Sequence, residues 1–507
     1  MPVPDKPERH PYIEQDNAAS LHICRRLEVA IRECEPLAAP HLNLVAVFFH
    51  DLMRILTGCD LRIREMNGPY SPHTEAALGP VESFPYIGFS DVANGIDPDS
   101  RTYGLMAADV PSKYRLVSAA SRLLGPVAGS GGTVAIAKPS ALNKRQLLST
   151  LLKKRMPVTY PLPTPLAIPG LDAQLQRLKL CVQEISDDLD WPESTERIGD
   201  VIRRHITALA LDGKPQRVGY QVLICGSLAN GFNRLIAART MAAGVPVVEI
   251  SHSAGEGMLD EPVFGYGERS FCTSMLGFGP AGGELSTSGE FARSLQEPPE
   301  YIESDAPDIL ASYHGPEVDR LGSIEGETVF YVPTDFSGNR RYGPFRDMPD
   351  AMYLQWQESL FREFPNAVWK GYPEAGYGLH STTQSLVPHG VNHVSRIRLQ
   401  DCLHQADVLI FDYVSTAFCE AAATSKPIIF LDIGLRNHSA VAQRAISDRC
   451  FYLRVDPGNP GELRERILSL SKKLCVNTFS PQFSLASSST HFGRIAATFE
   501  IVGDLLK

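Results

Sequence analysis

The sequence predicts an α/β protein with two doubly wound parallel sheets, and three observations predict it. Short apolar runs ending in polar turns recur through 219–279 and again through 325–475. Runs of this kind mark parallel strands buried on both faces. Segments with a helical spacing of apolar residues alternate with them, the pattern of successive βα units. Finally, 507 residues exceed one compact core and suit two or three domains.

In the later region ETVFYVPT (327–334) is the first strand and residues 349–364 are the helix after it. NAVWKGYP is the second strand. A Gly/Ser/Thr-rich loop leads to a short helix near DCLHQA and to a third strand in ADVLIFDY (406–413). A helix at TAFCEAAAT, strands at KPIIFLD and CFYLRV, and a helix at PGELRERILSLSKK complete this unit. In the earlier region GYQVLICGS (219–227) is a strand, NGFNRLIAARTMAAG a helix closed by Gly244, and PVVEISHS the next strand. TVAIAKP (133–139) and RSFCTSMLGFG (269–279) are further strand candidates, and 178–210 reads as largely helical. Residues 60–115 have no clean period and read as long loops. The expected boundaries are 1–300 for the first lobe, 301–326 for an acidic, Pro-rich linker, and 327–480 for the second lobe. Residues 481–507 are expected to form a C-terminal helix that could cross back to the first lobe.

Bulk properties exclude several classes of function. Lys and Arg total 48 against 58 Asp and Glu, a net charge of -10, which argues against nucleic acid as the main partner. No apolar run reaches the roughly 18 residues that a membrane span needs; even LNLVAVFFHDLMRIL is broken by His50, Asp51 and Arg54. The N-terminal stretch has no apolar core of the signal-peptide kind. The expectation is a cytoplasmic protein with at most peripheral contact at the inner face of the membrane. Cysteines such as Cys225, Cys272 and Cys419 fall in apolar patterns without metal-ligand spacing and read as buried free thiols.

The densest chemistry lies in DVLIFDYVSTAFCEAAATSKPIIFLD (407–432). A buried strand ends at Asp412 and Tyr413, and Ser415 or Thr416 opens a helix. Ligands of open α/β sheets bind beyond the carboxyl ends of the strands. Hydroxyls and backbone N–H groups there suit a phosphate, and Glu420, one turn deeper, suits a ribose diol. Equally, Ser415 can be a plain N-cap and Glu420 a solvated helix residue.

The run from Asp412 through Ser415, Thr416 and Glu420 into KPIIFLD resembles the nucleotide-binding segment of GT-B glycosyltransferases. The nearest likeness is to bacterial surface-polysaccharide enzymes: capsule synthesis transferases, CDP-glycerol phosphotransferases and ulosonic-acid transferases. Those families place Lys-x-His-Pro at a preceding strand end; here Lys370, Gly371, Tyr372 and Pro373 stand there, with tyrosine in place of histidine. The resemblance spans about the last 290 residues and implies two facing Rossmann-like lobes with an interdomain cleft. It implies a metal-independent enzyme without a cofactor, whose nucleotide-sugar donor is a CMP-activated ulosonic acid or a UDP-sugar. The acceptor would be a surface glycan or a lipid-linked sugar.

Further donor contacts are expected in TDFSGNRR, where Thr334, Gly338 and Asn339 follow the first strand of the later unit. On the acceptor side EISHSAGEGMLDEP offers His252 as the base of an inverting reaction. Glu256, Asp260 and Glu261 are alternative bases, or nucleophiles for a retaining one. GSGG (129–132) precedes a strand and reads as a turn, and His389 and His393 lie in a loop that suggests no metal site. Rival readings are a nucleotide-sugar epimerase, a CDP-polyol phosphotransferase and a non-catalytic binding protein on the same fold.

Overall fold

A computed structural model describes residues 11–34, 43–60, 133–137, 157–250, 259–277, 299–303, 327–334, 350–371 and 392–470, with short interruptions inside these ranges. They fall into two compact units, one centred on Leu21–Leu56 and Phe89–Pro307, the other on Asp308–Ser488.

Helix α1 (Pro11–Glu33) belongs to the first unit from Leu21 onward, its residues up to Ser20 to the second, and the short α2 (Leu44–Val47) follows in the first unit. Strands β1 (Val134–Ile136), β2 (Val158–Thr159), β3 (Leu166–Ile168), β4 (Ala210–Asp212), β5 (Val222–Cys225), β6 (Val247–Ile250), β7 (Ser274–Gly277) and β8 (Glu300–Glu303) follow. Helix α3 (Leu171–Asp188) lies between β3 and β4, α4 (Gly231–Ala242) between β5 and β6, and α5 (Pro262–Gly267) between β6 and β7. The main sheet is wholly parallel in the order β2-β1-β5-β6-β7-β8, and β3 pairs with β4 separately. Every residue of β5 and β6 is buried, as continuous apolar runs require. Gly244, at φ +73°, ends α4 in the left-handed region where glycine costs least.

One expectation changes here. Residues 301–303, assigned to the linker, are part of β8, whose register runs from Ser274↔Glu300 to Gly277↔Glu303. An edge strand needs only backbone pairing on one side, and Glu300 is exposed there. His50 and Asp51, which interrupt an apolar run, are both buried. The Arg234 guanidinium donates to Asp51 at 2.7 Å, to the Val47 carbonyl at 2.6 Å and to the Leu228 carbonyl at 2.9 Å.

The second unit contains β9 (Val329–Val332), α6 (Asp350–Glu363), β10 (Val368–Lys370), β11 (His393–Val394), α7 (Leu399–Cys402), β12 (Val408–Phe411) and α8 (Thr416–Ala422). It continues with β13 (Ile428–Asp432), α9 (Ala440–Arg449), β14 (Phe451–Arg454) and α10 (Leu463–Leu468). Its parallel sheet has the order β11-β10-β9-β12-β13-β14. Counted within the sheet that order is 3-2-1-4-5-6, the Rossmann order, whose crossover reverses between β9 and β12. A core of Tyr331, Tyr353, Trp356, Leu360, Ile410 and Ile429 packs α6 on one face of this sheet. The α/β expectation of two Rossmann-like sheets therefore holds in both units. The expected C-terminal helix 481–507 lies outside the described residues.

Candidate functional site

The crossover reversal brings the loops after β9 and β12 side by side at the carboxyl edge of the second sheet. Asp412 follows β12 directly, and its carboxylate is turned into the core. Tyr331 of β9 donates its hydroxyl to it at 2.6 Å, the Tyr353 hydroxyl donates at 3.0 Å and the Trp356 indole N–H donates at 3.0 Å. Tyr353 and Trp356 stand three residues apart on α6 and so share one face. Burial, followed by the Asp412 charge, raises the Tyr331 phenol well above its ordinary range, which keeps its proton available as donor. The Thr334 backbone N–H, expected to meet a ligand, donates instead to the Tyr353 hydroxyl at 3.0 Å. Asp412 and Thr334 thus tie the two loops together through one aromatic hinge point.

Beyond Asp412 the chain passes the half-buried Tyr413 and reaches Ser415, whose Oγ accepts the Phe418 N–H at 3.2 Å. Ser415 is therefore the N-cap of α8. Thr416 begins α8. Glu420 is half-buried one turn further in. Desolvation by burial raises its pKa to about 7; the Arg398 cation opposes the shift and the Asp401 carboxylate adds to it. Arg398 caps the start of α7 and forks onto Asp401 with two contacts of 3.1 Å. A carboxyl group in this state can either donate or accept near neutral pH, as a diol partner must.

Lys370 ends β10, is 3% exposed, and donates to the Gly371 carbonyl at 2.6 Å. Desolvation lowers its pKa. Gly371 is required beside it: a Cβ there would lie 2.2 Å from the Trp369 ring. Sequence reasoning did not single out the loop after β13. There Arg436 lies 5.8 Å over the Tyr413 ring, and the Asp432 carboxylate accepts the Gly434 N–H at 3.0 Å. Asp432 also accepts the Tyr452 hydroxyl and pairs with Arg454 at 3.6 Å. The available signal was a strand-end Asp432 followed two residues later by Gly434, a turn signal.

The structure thus gathers Thr334, Lys370, Asp412, Tyr413, Ser415, Thr416 and Glu420 at the carboxyl edge of one sheet. Gly338, Asn339, Tyr372 and Pro373 lie outside the described residues, as do His252, Glu256 and Glu261 of the acceptor-side set. Asp260 is half-buried, between β6 and α5. Nearby, the Glu249 carboxylate accepts the Leu228 N–H at 2.8 Å and so fixes the loop after β5. Among the described residues no three His, Cys, Asp or Glu side chains group so as to hold a metal ion. No described helix is long and apolar enough to cross a membrane. Cys225, Cys272 and Cys419 are buried free thiols, raised in pKa by desolvation.

No protein-family model matches the chain, and no curated protein matches it. Among solved structures it is similar to a glycotransferase of kitacinnamycin at 12% identity and TM-score 0.36, over 74% of this chain and 100% of that one. An S. aureus MnaA–UDP co-structure is similar at 11% identity and TM-score 0.34, over 74% and 96%. The UDP-L-rhamnose complex of Arabidopsis thaliana UGT89C1 is similar at 10% identity and TM-score 0.32, over 74% and 99%. The strand order and pairing, not these similarities, carry the fold assignment.

Proposed function

We propose that this chain is a glycosyltransferase of the GT-B kind, which holds a nucleotide-activated sugar at the carboxyl edge of its second sheet. One observation carries the reading: the crossover reversal between β9 and β12 coincides with the Asp412–Ser415 loop and with Glu420. Ligands of open α/β sheets bind at that topological position. In this reading Glu420 engages the ribose diol, and the Ser415 and Thr416 hydroxyls with Lys370 face the phosphates.

Transfer breaks the bond between the anomeric carbon and the phosphate oxygen and forms one to an acceptor oxygen. Negative charge grows on the departing phosphate, where Lys370 and the two hydroxyls stabilise it. The acceptor proton goes to a base, for which the first unit offers His252 in an inverting reaction. A retaining reaction would draw its nucleophile from Glu256, Asp260 and Glu261. The reading assigns no metal ion and no cofactor. Its donor is a CMP-activated ulosonic acid or a UDP-sugar, and its acceptor a surface glycan or a lipid-linked sugar.

The test is a thermal-shift series with CMP, CDP, UDP, GDP and TDP on the wild type, Ser415→Ala and Glu420→Ala. A ligand at a hundredfold excess over its dissociation constant stabilises the folded state by about 2.7 kcal/mol. The expected result is a shift with one nucleotide that both variants diminish; no shift with any of the five sinks the reading. Incubating the donor alone then separates transfer from epimerisation, because only an epimerase converts it without acceptor.

A further inference from the structure

We infer that Tyr353 is a positioning residue of the nucleotide site, whose hydroxyl sets the loop after β9 against the loop after β12 so that one phosphate-bearing ligand meets both. This role rests on the nucleotide reading and draws in α6, a helix outside the resembling motif. Tyr353, Trp356 and Gln357 stand at spacings of three and four on α6 and so share one face. Each of them holds the end of a strand. The Tyr353 hydroxyl accepts the Thr334 N–H after β9 at 3.0 Å, and it donates to Asp412 after β12, 3.1 and 3.0 Å from the two carboxylate oxygens. The Trp356 indole N–H donates to the same carboxylate at 3.0 Å. The Gln357 side-chain oxygen accepts the Trp369 indole N–H at 3.1 Å, one residue before Lys370 at the end of β10.

The Tyr353 contact differs in kind from the other two. An indole N–H only donates, whereas a hydroxyl donates and accepts, so Tyr353 joins two loops through a single oxygen. Tyr353 is 0% exposed, and it acts through Thr334 and Asp412. A buried N–H that loses its acceptor carries the full desolvation cost, which keeps Thr334 on that oxygen. The backbones at two neighbouring strand ends are thereby held in register before any ligand arrives. A phosphate seated across such loops finds its donors already oriented, without reorganisation of the chain. A nucleoside lacks the phosphate and gains nothing from that register.

The test is calorimetric titration of the full chain, at a temperature where every variant is folded, with CMP, CDP, UDP, GDP and TDP and the nucleoside of each. Tyr353→Phe keeps the ring and removes the oxygen that joins the loops. For the nucleotide that binds, it is expected to weaken affinity about tenfold, while the nucleoside stays within about twofold. Tyr331→Phe also takes a donor from Asp412 but leaves Thr334 on Tyr353, and should keep nucleotide affinity within about twofold of the wild type. A role confined to stability would make the two variants alike. Should Tyr353→Phe fail to fold, Thr334→Pro deletes the N–H and Thr334→Ala keeps it. The proline variant is then expected to bind the nucleotide about tenfold more weakly than the alanine variant, with equal nucleoside affinity. Equal losses for nucleotide and nucleoside, or no difference within either pair of variants, overturn the inference and leave the nucleotide reading standing. A wild type that binds none of the five nucleotides removes both.

Discussion

At the carboxyl edge of the first sheet a carboxylate meets an arginine; at that of the second it meets two phenols and an indole. Asp51 is held by Arg234, which also bonds the Val47 and Leu228 carbonyls, and Glu249 accepts the Leu228 N–H. The first loop is thereby clamped by a buried ion pair that uses up its own cation. Asp412 is satisfied by Tyr331, Tyr353 and Trp356, all neutral. Neutral donors thus anchor the second loop. In the same region the Lys370 amine donates to the Gly371 carbonyl and Arg436 lies over the Tyr413 ring. The same fold edge is fastened by an ion pair in one unit and by neutral donors in the other.

The comparison breaks most visibly at Asp412. Asp412→Ala strands three buried donors and should lower the stability of the second unit by about 4 kcal/mol. Urea unfolding followed by tryptophan fluorescence measures this, because Trp356 and Trp369 both lie in that unit's core. A loss below about 1 kcal/mol would mean that water or other groups satisfy those donors. Next in size, Arg234→Met leaves Asp51 buried without its cation and should cost about 3 kcal/mol. The double variant Arg234→Met/Asp51→Leu should recover part of that loss, since a well-packed apolar pair is often no worse than a buried ion pair. A double variant as unstable as the sum of both singles would contradict a clamp built on paired charges.

The smallest effect concerns Glu420. Its folded pKa of about 7 exceeds the ordinary 4.5, so the folded state binds the proton more tightly than the unfolded state. Stability of the second unit should therefore fall as pH rises from about 4.5 to about 7, with no further loss from this group above that window. Glu420→Gln should flatten the pH profile and raise the melting temperature at pH 8, leaving it nearly unchanged at pH 4.5. A profile as steep as the wild type's would assign the effect to another group.

Much of the second sheet was legible because β9, β12 and β13 are unbroken apolar runs, each buried along its whole length. Two elements were not. β11 is only His393–Val394, too short to carry a period. α9 presents Ala442, Ala445 and Ile446 to the core, and alanines give a weak stripe despite the Ser439 cap. The site divided along the same line. Ser415 and Glu420 sit five residues apart and could be read together, whereas the partners of Asp412 lie 56 to 81 residues away. A tyrosine inside an otherwise apolar strand was the one clue, since a buried phenol seeks an acceptor. Arg436 was hidden for a similar reason, because its link to Tyr413 depends on which strands are neighbours.

The most direct test of the nucleotide-edge account is amide hydrogen exchange on the full chain, with and without the nucleotide that shifts its melting temperature. The account predicts protection concentrated at the start of α8 and the loops after β10, β12 and β13, with the clamped loop after β5 unchanged. Protection centred on the loop after β5, with none around Ser415, would contradict it.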